Sequence, residues 1–341
     1  MASLYKLIEN MEEIKWNYYA SFPNNNPILK PIVTDNESAN FITQYFRKGG
    51  KNEAMVDFDL DHFGSQRADH TISIFFLGLI LFHNSSLKDK IFFDGVVSEN
   101  YEFFQFIWFV TCLSHDVAFY RENDPYLMEA NTDINALKAN LNIKYDLTSQ
   151  QIENVPADIF ELCGIYFKYR HNHPTYPGMD HGIYSGILMF DRLVKNRITK
   201  KAQQEQALLW EDFLDRHYAY AAATVAVHNI WLPKKNDYPQ YANAGLSALI
   251  RRQPINFEEA PLLFLLGLVD TIDPVKAYPN STPKEVLKNI YLTFPGPMRF
   301  RIRVSNKLDF DTLCLKAGYL CDWLSLKVAI SGRAITISIK G

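Results

Sequence analysis

The 341-residue chain has no Cys-x-x-Cys pair, no block of Lys and Arg, no internal repeat and no low-complexity tract. Each absence excludes something. Cys112, Cys163, Cys314 and Cys321 are widely scattered among apolar neighbours, a usage that predicts four buried free thiols in a reducing compartment. With 35 Lys and Arg against 38 Asp and Glu, the net charge is −3. Such a balance advertises neither a nucleic-acid groove nor a surface for anionic membranes, although a local basic patch stays open. The uncharged runs Phe103–Leu113 and Thr71–Phe82 are too short to span a bilayer and read as buried helices. The N-terminal stretch MASLYKLIENMEEIKW is amphipathic and lacks the apolar core of a signal peptide, so a cytoplasmic location is expected.

What is present is apolar. Hydrophobic residues make up 48% and aromatics 14%, enough for a sizeable core and against long disorder. The length suits one large domain and a small one. Residues 1–55 read as an N-terminal helical arm, with helices over Leu4–Tyr19 and Glu37–Arg47 separated by the Pro- and Asn-rich SFPNNNPILKPIV. Residues 56–280 are helical almost throughout. Asp69–His83 puts His70, Ile74, Leu77 and Leu81 on one face. Further helices are expected over Tyr101–Val117, over Asp180–Val194 with Asp180 at the N-terminus, over Trp210–Trp231, and over Pro261–Asp270. Residues 281–341 change character. Thr282 and Glu285 form a capping box, MRFRIRV alternates as a half-buried strand, FDTLCLKAGYLCDWL is helical, and LKVAIS with AITISIK makes a hairpin. The expected order of this small module is αβαββ.

The chemistry lies in an ordered set: His70, the adjacent His115-Asp116, His181, His228 and Asp270. Each falls within or at the end of an expected apolar helix, where an unpaired carboxylate or imidazolium is costly and calls for a metal or a charged partner. Imidazole with carboxylate suits a transition ion such as Zn, Fe, Mn, Co or Ni rather than an oxygen-only calcium site. On a helix, neighbours project about 100° apart, so His115 and Asp116 would together address ions lying in the wedge between packed helices.

This order, with RADHTISIFFLGLIL, FVTCLSHDV and LLFLLGLVD around its first, central and last ligands, resembles the HD-domain superfamily of metal-dependent phosphohydrolases. DHGIYSGIL and AAATVAVHNIW look like the extra histidine segments of the subgroup with two metals. The resemblance covers residues 57–275. It implies a mainly α fold, an HD-domain helical bundle followed by the small C-terminal α/β module. It further implies a first metal on His70, His115, Asp116 and Asp270, and a second on Asp116, His181 and His228. Asp116 would bridge the two ions, with His115 and Asp116 as the catalytic pair. The continuation HDVAFYRE lacks the HDIGK form of the cyclic-di-GMP phosphodiesterase branch, so that specificity is not supported.

The implied function is hydrolysis of a phosphomonoester or phosphodiester, in a nucleotide above all, by metal-activated hydroxide at a binuclear centre. The same ligand set also resembles the mixed-valence diiron oxygenases of the superfamily, and a nucleotide-sensing protein is a third reading. Arg67, Lys168, Arg170, His171 and His173 are candidates for contacting substrate phosphate; His171 and His173 read first as a polar loop, and Arg67 reads equally as a solvated cap. The expected partner is a small-molecule phosphoester or nucleotide, with no membrane and no clear nucleic-acid surface. Assembly into a homo-oligomer is left open.

Overall fold

The computed structural model describes residues 1–21, 28–32, 37–52, 54, 65–89, 103–152, 155–203 and 210–340. The expected domain start at residue 56, His62, and the first two residues of the helix expected from Tyr101 lie outside them. In chain order the principal elements are β1 (Ala2–Ser3), α1 (Leu4–Glu9), α2 (Ser38–Lys48), α3 (Ser65–Asn84), α4 (Phe103–Ser114), α5 (Cys163–His171), α6 (His181–Ala202) and α7 (Leu214–Val227). There follow α8 (Pro261–Ile272), α9 (Pro283–Asn289), β2 (Ile290–Gly296), β3 (Arg299–Val304), α10 (Phe310–Trp323), β4 (Leu326–Ser331) and β5 (Ala334–Ile339). The fold is mainly α with a small antiparallel sheet near the C-terminus, as the sequence predicts. Among the described residues, no helix is long and apolar enough to cross a membrane.

The chain folds into two compact units. One comprises Met1–Lys48, Gly64–Cys112 and Pro254–Gly341; the other comprises Gly49–Phe63 and Leu113–Gln253.

In the first unit, the aromatic richness of the sequence becomes the core. Tyr45 of α2 stacks on Phe109 of α4 at 3.7 Å between ring centroids. Its buried hydroxyl is satisfied twice, accepting from the Tyr18 amide at 2.7 Å and donating to the Trp16 carbonyl at 3.0 Å. Trp108 of α4 donates its indole N–H to the Phe75 carbonyl of α3. The sheet has the order β1-β2-β3-β5-β4, all antiparallel. Its inner face carries Leu292, Phe300, Ile302, Ile335 and Ile337, all buried, while α10 buries Leu313, Ala317, Leu320 and Trp323.

The second unit is organised by α6 and α7. Asp180 caps α6 by accepting from the Ile183 amide at 2.8 Å, where the sequence places the helix start. The two helices approach closely because one stripe of α6 has no side chains. A Cβ built on Gly182 would lie 2.9 Å from the Val225 carbonyl oxygen, and one on Gly186 would lie 2.5 Å from that of Ala222. The small residues of AAATVAV supply the other half of that interface.

Several expectations are corrected. The single helix over Leu4–Tyr19 is α1 followed by two short 3-10 turns, Glu13–Lys15 and Tyr18–Ser21. The C-terminal module gains the strand β2, giving αββαββ from Pro283 onward, because Ile290 begins a strand with no intervening loop and Pro295-Gly296 sits at its end. Only Cys112 and Cys163 are buried; Cys314 is half-buried and Cys321 exposed. Cys321 follows Leu320 by one residue, which turns it off the buried stripe of α10.

The glycine stripe gives a test with opposite signs. Gly186→Ala should destabilise by about 1–3 kcal/mol through overpacking. Gly318→Ala, on an exposed position of α10 with nothing within 4 Å of the added methyl, should stabilise by roughly 0.4–1 kcal/mol. Urea-unfolding midpoints of the two variants should move in opposite directions. A Gly186→Ala midpoint at or above wild type would contradict the close packing.

Candidate metal centre

In the second unit the group begins where α4 ends. His115 and Asp116 lie in the turn after Ser114, not within the helix as expected, and the turn is closed by Phe119 N–H donating to the Asp116 carbonyl. Ser185 on α6 holds this turn by accepting from the Ala118 amide at 3.0 Å. Freed from helical geometry, the neighbouring side chains meet: His115 Nε2 is 3.2 Å from Asp116 Oδ2. The other carboxylate oxygen, Oδ1, lies 3.3 Å from His181 Nε2.

Asp116 is 4% exposed. Burial alone would raise its pKa, but the charges and hydrogen bonds of His115 and His181 outweigh that and hold the carboxyl well below its usual range. His181 shows the reciprocal effect. Burial lowers its pKa, hydrogen bonds to Asp116 and Glu122 raise it further, and the net value is about 9.

His228 follows the last residue of α7. Its Nδ1–H donates to the Val225 carbonyl at 2.6 Å, which makes Nε2 the nitrogen that carries the lone pair. Its ring lies 5.4 Å from that of His181 and 5.6 Å from that of His115. Ligand atoms of Asp116, His181 and His228 all fall within 4.8 Å of one another, so this group could hold a metal ion. The donors fit one chemically: two imidazoles and a carboxylate suit a divalent transition ion, and the buried Asp116 charge is of the kind a cation stabilises.

The first unit pairs His70 with Asp270. His70 of α3 is 2% exposed, its Nε2 lies 3.1 Å from Asp270 Oδ1 on α8, and its Nδ1 donates to Asp273 Oδ2 at 2.8 Å. Burial pushes the His70 pKa down, and the two carboxylates bring it back up to about 9. Asp273 is itself fully engaged: Ser73 Oγ donates to it, and it accepts from the amides of Val275 and Lys276 at the start of the short helix Pro274–Ala277. Lys276 Nζ sits 2.7 Å from Asp270 Oδ1.

The candidate phosphate contacts are placed as follows. Arg67 is half-buried on α3, one turn before His70, and Lys168 is exposed on α5. Arg170 pairs with Glu122 at 3.0 Å, and Glu122 reaches His181 Nδ1 at 3.4 Å. A chain of ionic contacts thus joins Arg170 to the ligand group. His171 Nε2 donates to the Met128 carbonyl, while His173 Nδ1 accepts from the amides of Thr175 and Tyr176 and so shapes its own loop. Residues not singled out in the sequence also enter: Glu122 and Asn229 against His181, and Asp273, Ser73 and Lys276 around His70 and Asp270. Asp273 carried a visible signal, one helical turn after Asp270, but Asp-Pro reads first as a helix end.

No protein-family model matches the chain, no curated protein matches it, and no solved structure matches it.

The histidine shifts predict a pH dependence for the chelator-treated protein. A histidine whose folded pKa exceeds its ordinary 6.5 adds stability that is fully present below pH 6.5 and lost as pH rises through about 9. Urea midpoints should therefore fall between pH 6.5 and 9, and fall less in Asp273→Asn and Glu122→Gln. A flat profile for wild type over that window contradicts the assigned pairings.

Proposed function

We propose that the chain is a metal-dependent phosphohydrolase of the HD-domain type that cleaves a phosphomonoester or phosphodiester, with nucleotides as the substrate class. The observation that carries the reading is the buried Asp116 carboxylate gathered with His115, His181 and His228, residues that also stand in the order the superfamily resemblance requires. His70 and Asp270, 3.1 Å apart, form a separate imidazole–carboxylate pair within the first unit. Asp116, His181 and His228 would hold a divalent transition ion, which would supply Lewis acidity toward water and phosphoryl oxygens.

The chain's own residues have separate tasks. Asp116 supplies the negative charge that attracts the cation. Glu122, on His181 Nδ1, orients that imidazole so that Nε2 addresses the ligand position, and Asp273 does the same for His70. The carbonyl of Val225 sets the tautomer of His228. Arg170 and Arg121, the latter bonded to Tyr184 one turn after His181, are cations of the second unit suited to substrate phosphate.

Turnover of a panel of nucleotides and phosphodiesters in anaerobic oxygen-18 water, with Mn, Co, Ni or Fe supplied, tests the reaction. One labelled oxygen should appear in the phosphate-bearing product at a rate independent of O₂. Glu122→Gln should lower activity about 10- to 100-fold, as loss of a partner that orients a ligand does. Strict O₂ dependence with iron, or nucleotide binding without turnover under every metal, contradicts the proposal.

A further inference from the structure

The outer face of the C-terminal sheet is basic. Arg299, Arg301 and Arg303 alternate along β3 with the buried Phe300, Ile302 and Val304, and all three arginines are exposed. On β5 they stand opposite Ser338, Thr336 and Ala334; on β2, Thr293 and Tyr291 stand opposite Arg301 and Arg303. One strand further out, Lys327 lies opposite Ser338, with Ala329 and Ser331 following on the same face. No carboxylate occupies any of these positions, in a chain whose net charge is −3.

Two of the arginines are held in place. Arg299 Nε donates to Ser338 Oγ at 3.0 Å, and Arg301 Nε donates to Thr336 Oγ1 at 3.1 Å. The repeated cross-strand bond lays each guanidinium along the sheet and leaves its terminal nitrogens without a carboxylate partner among the described residues. Residues two apart on a strand are about 7 Å apart. That spacing is commensurate with successive phosphates of an extended single strand.

The row ends in a hollow of about 380 Å³ lined by Met1, Tyr291, Arg303, Ser305, Asn306 and Arg333. Arg333 is committed to the carbonyls of Val304 and Ser305, so the polar and aromatic groups that can meet a ligand are the Tyr291 ring, the Arg303 guanidinium and the Asn306 amide, with the Met1 side chain beside them. An aromatic face with planar donors and acceptors is what an unstacked base requires. An anionic membrane would instead call for a cluster of apolar side chains, and beside the alanines and the half-buried Tyr291 the site offers Met1 alone, at the edge of the hollow.

We propose that this sheet face binds single-stranded nucleic acid, with phosphates along Arg299, Arg301 and Arg303 and a base in the hollow beside Tyr291. The site is independent of the metal ligands.

Anisotropy of a fluorescein-labelled oligouridylate titrated with the full chain tests it. Wild type should bind with a salt-dependent affinity. Replacing the three arginines together by Gln should make the slope of log K against log salt shallower by about two, since each single-strand phosphate contact contributes about 0.7. The triple Arg→Lys variant should keep most of the slope, and Tyr291→Ala should weaken binding roughly ten-fold. Asp116→Asn should bind as wild type does, which separates this proposal from the phosphohydrolase reading. Undetectable binding, an unchanged slope in a folded triple Gln variant, or tighter binding to polyglutamate or phosphatidylserine vesicles than to the oligonucleotide overturns it.

Discussion

A carboxylate removed from water must be compensated, and much of the second unit follows from compensating Asp116. With almost no access to solvent, its charge is tolerable only because imidazoles reach both of its oxygens. One imidazole comes from the adjacent residue, which is possible only because the chain leaves α4 as a turn. The other is the first residue of α6, a position set by the Asp180 cap. The third histidine of the group, at the C-terminal end of α7, comes near because Gly182 and Gly186 let the two helices approach to a separation that a β-carbon there would forbid. Small residues, a cap and a turn are thus the structural prerequisites of one charged group.

The first unit meets the same problem with different parts. His70 is buried between two carboxylates, and the excess negative charge is met by Lys276 on Asp270 and by Ser73 and two amides on Asp273. Asp273 serves two purposes here, as a helix cap and as the hydrogen-bond acceptor that fixes the ring of His70. His70 in one unit and His181 in the other keep a proton because carboxylates hold it there, and a metal ion would displace that proton as it binds.

The histidines and aspartates of the candidate groups were legible in the sequence because such residues in apolar helices are costly and therefore conspicuous. So were the helices around them, from their periodicity, and the Asp180 and Thr282 caps. The turn at His115-Asp116 was not, since the apolar period of α4 runs unbroken up to Ser114 and nothing local marks its end. Glu122 and Lys276 were missed because a supporting contact made across a fold leaves no spacing in the chain. The strand β2 was hidden by its direct continuation from α9. The alternation in MRFRIRV was plain, whereas the basic face it builds depends on which strands flank it, and pairing order is a property of the fold rather than of the segment.

The central claim is that these buried histidines and aspartates exist to hold a metal. Elemental analysis of the purified 341-residue chain, beside His115→Ala and Asp116→Ala, tests it most directly. Wild type should carry a divalent transition ion that survives dialysis, and both variants should lose it and unfold at lower urea because the remaining ligands are left buried and unsatisfied. Full metal content in folded His115→Ala or Asp116→Ala protein, or none in wild type after exposure to Mn, Fe, Co, Ni and Zn, would contradict the account.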